Sequence, residues 1–575
     1  MGRTADPKIH FIICLLILLT INLAAFMPSM RGDFLWDDKY FISENPNIQA
    51  AGFLKNFLVS PFGGFSGLDE NSARMDRIMQ FYRPLTSFSY WLDFKVWGLN
   101  PAAFHLTNIL LHTVNTILLM AVLLALGIPR LFSFAAALLF SIFPLHFENV
   151  AWISGRTDLL AFFFGAQSVL LLIKFLKTRR SLYMGLSSFF FLFSLLAKES
   201  TILVPAVFLV VFYKKETKPA KAIISILPYA GALLAWFILR TIALGSAGMG
   251  YSGRTPLDFF AAAGFYTIKL LAPFNLSVTI NPVPVFRSFP YMILGAVLTA
   301  LFLVCVFWVV SQKWEKSRAF LTVTTYFLFL LPPLAAIFSA GTISILAWRF
   351  LYLPSAVLTA GLAWAVFRFM NRRALALVFL AFVLLSYGFE IYPKNALYGN
   401  EEVAFWQSFT NIEREDVLAR FNIGVKGLAL DEKKSLTILN EILADRTQPL
   451  HGMLRVRIYE ELGAFYTGAK RFDLAEHYFN EIFKIQPTHS MHFYFNYAFF
   501  LGLSGRAEEG EKLVSEILRQ FRQNHYVLTR AAKFYLIIKD YAKAAEFYSR
   551  DYNLFRTKKS LALLQELELL LKKPS

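Results

Sequence analysis

The order of hydrophobic and polar positions divides the chain into two parts. Long apolar runs fill residues 1–392, and most of them approach the roughly 20 residues that a helix needs to cross a membrane. From residue 393 onward the sequence is charged, and its apolar positions recur at helical spacing. The pattern therefore predicts an all-α protein, in which a bundle of membrane-spanning helices precedes a helical domain at the C-terminal end.

The apolar runs predict eleven membrane spans. The first run exceeds the core of a signal peptide and is expected to remain as an anchor. The runs on either side of Lys198 and Glu199 are short, so broken or tilted helices are an alternative there. The apolar segment 258–274 is expected at the membrane interface, because another span would put basic loops on the wrong side. The predicted spans are residues 9–29, 103–126, 131–146, 158–176, 183–197, 199–213, 220–240, 289–311, 319–338, 347–368 and 374–392.

The positive charge of the chain is concentrated in short loops between the apolar runs. Seventeen Lys and Arg residues and three Asp and Glu residues lie there, so these loops supply +14 of the net charge of +18. Such an excess marks cytoplasmic loops, and the charge therefore requires no nucleic-acid partner. An odd number of spans then predicts that the large loop 30–102 and the C-terminal part 393–575 both lie on the non-cytoplasmic side.

The C-terminal part aligns with itself at close to the 34-residue spacing of tetratricopeptide (TPR) repeats. Three good repeats and one poor repeat near Ala419 predict an α-solenoid, whose concave face would bind peptides or protein surfaces. A generic array of amphipathic helices is the alternative. The small and large residues that recur are Leu462, Gly463, Tyr466, Ala475, Phe479 and Pro487, then Ala498, Gly505, Gly510 and Ile517, and finally Ala532, Tyr535, Ala544 and Tyr548.

Two adjacent carboxylates, Asp37 and Asp38, follow the first span in the segment FLWDDKYF. Neighbouring carboxylates can raise each other's pKa and leave one poised as a general base, or they can hold a divalent cation. The alternative is a solvated turn with helix-capping aspartates, which an isolated pair would favour. A catalytic role for the pair therefore depends on other groups that lie beside it.

Other segments carry candidate site residues toward the same predicted side. Acids beside cations suit a lipid phosphate that leaves and a hydroxyl that must lose its proton, so their convergence predicts one shared site. These residues are Arg83 and His105 around the start of the second span, His146, Glu148, Arg156 and Asp158 in the next loop, Lys198 and Glu199, and Arg349 with Tyr352.

Each of these candidates also has a structural interpretation. Lys198 and Glu199 could form a mutual ion pair, and Arg349 could be an anchor at the membrane interface. The polar face of the second span, Asn108, His112 and Asn115, could make interhelical hydrogen bonds. The segment from Ser154 to Asp158 resembles a helix start whose amides could meet an anionic headgroup. No metal site is predicted, because His146 and Glu148 lack a third ligand at fixed spacing and both cysteines lie in apolar runs.

The motifs together resemble those of the transmembrane and tetratricopeptide-repeat-containing proteins over nearly the whole chain. The motifs are WDD with NP, RPL with WGLNP and FH, LH with AWISGR, AKE, and RFLYLPS. The membrane half of that family is similar to protein O-mannosyltransferases and other glycosyltransferases of the GT-C fold. The chain departs from the family at Leu145 and His146, where HP is usual, and in its shorter repeat array.

The resemblance implies a sugar transferase that uses a polyprenyl-phosphate-linked sugar as donor and no certain cofactor, with the need for a divalent metal left open. Asp37 or Asp38 would be the catalytic base, and Arg83, His105, Arg156 and Arg349 would bind the phosphate or the acceptor. The repeats would recruit an acceptor protein or peptide. A non-enzymatic membrane scaffold is the alternative function. A bacterial inner membrane is the expected location, with the endoplasmic reticulum membrane as the alternative.

Overall fold

The structure of the chain is a computed structural model. It describes residues 7–49, 52–60, 62, 81–205, 227–245, 254–277, 280, 282–311, 318–338, 346–370, 372–398, 417–445, 451–485 and 491–571. Every regular element in these ranges is a helix. The predicted all-α class is therefore confirmed for the part of the chain that is described.

Fewer helices qualify as membrane spans than the sequence predicted. Within the described ranges, six helices are long and apolar enough to cross a membrane. A seventh span results if Arg130–Ser141 and Pro144–Val150, which are bent by 49°, are counted as one. The eleven spans that the sequence predicted are therefore not found when helices are counted by their length and apolar composition. The six are Phe11–Arg31, Pro101–Ala125, Ile153–Thr178, Leu227–Leu244, Trp348–Phe369 and Arg373–Leu397.

The remaining predicted spans are shorter helices or are described only in part. Ser181–Ala197 has 17 residues, and it ends directly before Lys198, as the alternative of a broken helix requires. Parts of the predicted spans 199–213 and 220–240 lie in residues 206–226, outside the described ranges. The further apolar helices are Phe289–Ser311 and Arg318–Ala335.

The segment predicted to be interfacial is the helix Pro256–Leu271, which packs very closely on Phe289–Ser311. A Cβ atom at Gly264 would come within 2.2 Å of the carbonyl oxygen of Tyr291. Glycine therefore sets the distance between these two helices, because any side chain would force their backbones apart. The position of the segment relative to the membrane stays a prediction.

Pro101–Ala125 lies at the centre of the membrane part. Of the residues in its most apolar stretch, 44% are buried inside the protein. In the peripheral helix Leu227–Leu244 only 11% of the corresponding residues are buried. In Pro101–Ala125, His112 accepts a hydrogen bond from the Tyr352 hydroxyl (2.7 Å) and donates one to the carbonyl of Ser141 (2.9 Å). The polar face of the helix is fully buried, which confirms that it turns inward and makes interhelical hydrogen bonds. Its members are Asn108, His112 and Asn115.

Within its described residues from 417 onward, the C-terminal part shows four helix pairs and a final helix, Lys558–Leu571. The recurring positions that are described, such as Ala475 and Phe479, are buried between the helices of each pair, whereas Pro487 lies outside the described ranges. Assignment of the pairs to TPR repeats stays a prediction. The pairs are Val417–Gly427 with Glu432–Ala444, His451–Gly468 with Phe472–Ile485, Met491–Leu503 with Ala507–Gln520, and His525–Ile537 with Tyr541–Phe555.

The segment 32–100 is here called the first loop, and its described residues, 32–49, 52–60, 62 and 81–100, pack directly on the last helix pairs. The loop contains the helices Lys39–Ser43, Pro46–Gln49, Phe53–Asn56 and Pro84–Trp97. Its apolar side chains share one hydrophobic core with those of the C-terminal helices. The amide of Leu99 donates to the carbonyl of Phe555 (3.0 Å), and the amide of His525 donates to Oε1 of Gln49 (3.1 Å). The two predicted domains are therefore joined through the first loop.

We expect Gly98→Ala to loosen this junction. Gly98 has φ 62° and ψ −149°, a conformation that is essentially restricted to glycine. Its Cβ would also lie 2.3 Å from the carbonyl oxygen of Phe555. Hydrogen exchange should show faster exchange of the Leu99 amide and of amides in 525–555.

Gly127→Ala is the matched control, because Gly127 has φ 82° but nothing lies within 4 Å of its Cβ position. It should cost only backbone strain of about 1–2 kcal/mol and leave exchange in 525–555 unchanged. Equal effects of the two substitutions would show that the contact with Phe555 is unimportant.

Candidate functional site

The two aspartates lie in a tight turn that follows the first helix. Trp36 just before them has φ 45°, an unusual conformation for a large residue. Its ring is held edge-on between the rings of Trp152 and Tyr398, at centroid distances of 6.0 and 5.9 Å. Packing from two other segments therefore stabilises the turn at Trp36. Within this turn Asp38 is buried, whereas Asp37 is half-buried.

Asp38 points into the protein and is fully buried. Its Oδ1 accepts hydrogen bonds from the amide (2.8 Å) and the hydroxyl of Ser154, and its Oδ2 accepts one from the amide of Leu35 (3.1 Å). Burial raises the pKa of Asp38 to about 7, although these hydrogen bonds oppose the rise. The helix start at Ser154, where an anionic headgroup was expected, thus binds the carboxylate of Asp38. Asp38 connects two loops and holds the turn in place.

Asp37 is half-buried, and within the described part of the chain its carboxylate makes no hydrogen bond and no ion pair. Burial raises the pKa of Asp37 above its ordinary value, the charges of Arg349 and Arg83 lower it, and that of Glu148 raises it. An unengaged carboxylate in the field of two arginines is available to accept a proton. Of the two candidates for a base, the geometry therefore favours Asp37.

Three ion pairs join cations and acids from four segments, and the charges of Arg349, Arg83 and Glu148 act on Asp37. Lys198 is in turn coupled to Arg83 and Arg349. Lys198 and Glu199 are not paired with each other, as one interpretation expected, because their side chains reach different partners. The convergence of separate segments predicted from the sequence is present. The pairs are Arg349 with Glu148, Lys198 with Asp158 (2.6 Å), and Arg83 with Glu199 (2.9 Å).

Arg349 is held by both its side chain and its backbone. Its guanidinium and its amide (3.0 Å) both donate to Glu148, and its carbonyl accepts from the side chain of Asn149 (3.0 Å). The guanidinium also lies 5.0 Å from the ring of Trp152. These contacts fix the orientation of the Arg349 guanidinium. A residue that only anchored the helix at the membrane interface would not need its side chain fixed in this way.

Arg83 lies directly before the helix Pro84–Trp97 and stacks on Phe81 at 4.4 Å. Its Nε is buried and has no hydrogen-bond partner among the described residues. Burial would raise the pKa of Glu199, but the charge and hydrogen bond of Arg83 outweigh it and lower that pKa to about 2. Arg83 therefore has one N–H group for which the described residues supply no acceptor.

A small cleft with a volume of about 10 Å³ lies beside the Lys198–Asp158 pair. Its lining combines polar groups with aromatic and apolar side chains, and it has room for a group about the size of a water molecule. Tyr352, which the sequence singled out, contributes to it. The lining residues are Asp158, Ala161, Phe162, Ser200, Thr201, Phe329, Pro333, Phe350, Tyr352 and Leu353.

Arg156 lies in the interior, where all of its contacts are to the protein. It is 0% exposed, pairs with Asp93 (2.6 Å), and donates to the side chain of Asn108 (2.7 Å) and the carbonyl of Phe104 (2.8 Å). The geometry therefore favours a structural role for Arg156 over phosphate binding. No sequence pattern indicated Asp93 as the partner of Arg156, because the two residues are distant along the chain.

The two candidate histidines are also buried. His146 contacts the hydroxyl of Ser355 through Nε2 (2.8 Å), and His105 lies beside Gly32. Neither histidine belongs to the three ion pairs described above. Among the described residues, no three His, Cys, Asp or Glu side chains are grouped as a metal ion would need.

Asp38→Ala should destabilise the protein, because the buried amides of Leu35 and Ser154 would lose their acceptor. A loss of about 1–3 kcal/mol in unfolding free energy is expected for each unsatisfied donor. Thermal unfolding in detergent would measure it. Asp33→Ala is the control, since Asp33 is exposed and accepts only from the amide of Phe34. Equal stability of both variants would contradict the anchoring role of Asp38.

Comparison with known proteins finds protein O-mannosyl-transferases. Protein O-mannosyl-transferase F38B6.6 of Caenorhabditis elegans is 32% identical over 165 residues, which are 28% of this chain and 23% of that protein. Protein O-mannosyl-transferase TMTC1 of Homo sapiens is 34% identical over 195 residues, 32% of this chain and 21% of that protein. TMTC4 of Homo sapiens is 34% identical over 164 residues, 26% and 21% of the two chains.

No family model matches the chain. The matched stretches span only about a fifth of the length of these curated relatives. Within those stretches the similarity confirms the resemblance that the motifs indicated. The chain is thus similar to the protein O-mannosyl-transferases of the transmembrane and tetratricopeptide-repeat-containing group.

Proposed function

We propose that this chain is a membrane glycosyltransferase that moves a sugar from a polyprenyl-phosphate-linked donor to a hydroxyl of an acceptor protein. The observation that carries the proposal is the unpaired carboxylate of Asp37 beside the cations Arg83 and Arg349. A base next to fixed positive charge is what attack by a hydroxyl and departure of a phosphate both require. The names of the relatives support this class of reaction.

In the proposed step, Asp37 accepts the proton of the acceptor hydroxyl as its oxygen attacks C1 of the sugar. The bond between C1 and the phosphate oxygen breaks, and the lipid phosphate leaves with the electron pair. The guanidinium of Arg349 and that of Arg83 would stabilise the charge that develops on this phosphate. Both are already fixed by carboxylates, so little reorganisation would be needed during the reaction.

The donor is proposed to bind over the small cleft beside Asp158, which itself admits only a small group. Lys198 would approach the phosphate, while Phe162, Phe329 and Phe350 would contact the first isoprene units of the lipid. A hydrocarbon chain gains about 25 cal/mol for each Å² of apolar surface that leaves water, which favours such an aromatic wall. The C-terminal helix pairs would recruit the acceptor protein.

The proposed location is a membrane of the secretory pathway, with the site on the lumenal side. The relatives come from a nematode, an insect and mammals, which favours the alternative of an endoplasmic reticulum membrane. A bacterial inner membrane has no support among these relatives. The proposed sidedness rests on the distribution of basic loops.

Asp37→Asn should abolish sugar transfer, since an amide cannot accept the proton. The rate of mannose transfer from polyprenyl-phosphate mannose should fall by roughly 10²- to 10⁴-fold, with insertion and thermal unfolding unchanged. Asp33→Asn is the control, because it changes the charge of an exposed neighbour in the same loop. An active Asp37→Asn variant would exclude this base, and no transfer by the unaltered chain with any donor would favour the scaffold.

The pH profile should report Asp37 as well. A base acts when deprotonated, so transfer should fall as the pH drops through the pKa of Asp37. Burial raises that pKa, so the acid limb should lie above the ordinary aspartate value of about 3.9. Arg349→Gln removes a charge that lowers this pKa and should shift the limb to still higher pH. An unshifted limb would contradict the assignment of Asp37.

A further inference from the structure

Two segments of the first loop, residues 52–60 and 84–97, expose large apolar side chains to their surroundings. The exposed fraction reaches 66% at Val96 and 52% at Trp97. Apolar patches of this kind mark contact with another protein or with a membrane. We call this surface the loop face. Its members are Leu54, Leu58, Val59, Leu92, Val96 and Trp97.

The two segments are held side by side by a row of packed aromatic rings. The ring centroid of Phe53 lies 5.7 Å from that of Trp91, and the ring centroid of Phe57 lies 5.4 Å from that of Phe88. Phe88 in turn stacks on Trp91 at 5.7 Å. Since each exposed leucine directly follows one of these rings along the chain, both segments contribute to one surface.

The helix Pro84–Trp97 is amphipathic in the opposite sense to a helix at the surface of a soluble protein. Its buried side includes the polar residues Thr86, Ser87 and Asp93. Its exposed side carries apolar members of the loop face. A helix that faced water would bury its apolar residues and expose its polar ones. The sequence of this helix is therefore suited to an apolar or interfacial environment.

Hydrogen bonds place the same helix across the ends of three apolar helices of the membrane part. They reach the last residue of Ser181–Ala197, the first residue of the span Ile153–Thr178 and the second turn of the span Pro101–Ala125. The helix thus crosses the end of the bundle instead of pointing away from it. The bonds are those of the Thr86 hydroxyl to the carbonyl of Ala197 (3.2 Å), of the Tyr90 hydroxyl to the carbonyl of Ile153 (3.3 Å), and of the Thr107 hydroxyl to Oδ1 of Asp93 (3.0 Å).

The bond to Thr107 gives the level of the loop face along the bundle. Thr107 lies about 9 Å along the helix axis from Pro101, the first residue of its span. Its partner Asp93 therefore lies beside the first turns of the span and not above them. Trp97 precedes the same span by only residues 98–100. Exposed tryptophan at the start of a span is typical of the layer where apolar helices meet lipid headgroups.

The charged residues exposed on the two segments are both lysines. Lys55 and Lys95 are exposed, whereas Asp93, the acid of these segments, is buried and paired with Arg156. Lysine beside aromatic and aliphatic side chains is typical of interfacial helices, because its stem packs on apolar surface while its charge meets lipid phosphates. The charge of the loop face therefore complements a phospholipid surface.

We propose that the loop face lies in the headgroup layer of the membrane, with its apolar side chains among the lipid chains and Lys55 and Lys95 at the phosphates. A lipid surface is favoured over a protein partner because the helix Pro84–Trp97 continues almost directly into a span and lies level with its start. Docking also holds Arg83, directly before this helix, close to the headgroup layer. The proposal does not rest on sugar transfer.

The depth of the loop face is measured with spin labels on the full chain. The chain, with Cys14→Ala and Cys305→Ala, is reconstituted in phosphatidylcholine nanodiscs, and a nitroxide is attached at Val96→Cys. Collisions of the label with oxygen, which concentrates in lipid, are compared with its collisions with a water-soluble nickel chelate. The ratio of the two collision rates reports whether the label lies in lipid or in water.

Two exposed apolar positions provide matched references. Leu385→Cys, in the middle of the span Arg373–Leu397, is the reference for lipid. Leu430→Cys, in the turn before the helix Glu432–Ala444, is the reference for water. A label held about 5–10 Å into the headgroup layer should give an oxygen-to-nickel ratio several times that at residue 430 and below that at residue 385.

Two results would overturn the proposal. A ratio at residue 96 equal to that at residue 430 would show that the loop face lies in water. Low collision rates with both reagents would show that protein covers the face, and dipolar broadening between labels would identify this protein as a second copy of the chain. Leu58→Cys repeats the measurement in the other segment should the variant at residue 96 fail to fold.

The role of the lysines is tested with the same label. Lys95→Glu should lower the oxygen-to-nickel ratio at residue 96, because a carboxylate would be repelled by lipid phosphates. Lys433→Glu is the matched control, since Lys433 is exposed on a C-terminal helix. Equal ratios in the two variants would contradict the placement of Lys95 at the headgroups.

Discussion

The site depends on the hydrogen bonds between Asp38 and Ser154. They join the turn after the first helix to the start of the helix Arg156–Thr178, and they place two adjacent carboxylates in opposite environments. Asp38 is used entirely for structure, and Asp37 is left without a protein partner in the described part of the chain. The amides at a helix start are a natural site for an anion, and here the protein supplies that anion itself.

Burial of so many ionisable groups has to be offset by their mutual contacts. Breaking a buried pair costs about 3–5 kcal/mol, because the remaining charge is uncompensated. Arg83, Lys198 and Arg349 are each paired with an acid, whereas the carboxylate of Asp37 has no ion-pair partner among the described residues. The free-energy cost of burying an unpaired charge therefore falls mainly on Asp37. Such concentration is common at functional sites, where a pKa must differ from its ordinary value.

The sequence predicted the class of fold and most of the helices, because long apolar runs and helical periodicity are local signals. It also predicted that Asp37, Glu148, Lys198 and Arg349 converge, since the loops that carry them alternate with spans. It did not predict which groups pair. Lys198 and Glu199 are neighbours along the chain, but the helix end at Ala197 directs them to Asp158 and Arg83. The junction between the first loop and Phe555 could not be predicted from the sequence either, because packing between distant segments leaves no local sequence pattern.

The central claim is that sugar transfer and release of the lipid phosphate are one reaction at Asp37. The most direct measurement supplies the purified full chain with doubly labelled polyprenyl-phosphate mannose and an acceptor peptide, and quantifies labelled peptide and free polyprenyl phosphate in the same sample. The account predicts equal amounts of the two products, with release absent when the peptide is omitted. Release of lipid phosphate without labelled peptide, or neither product at all, would contradict it.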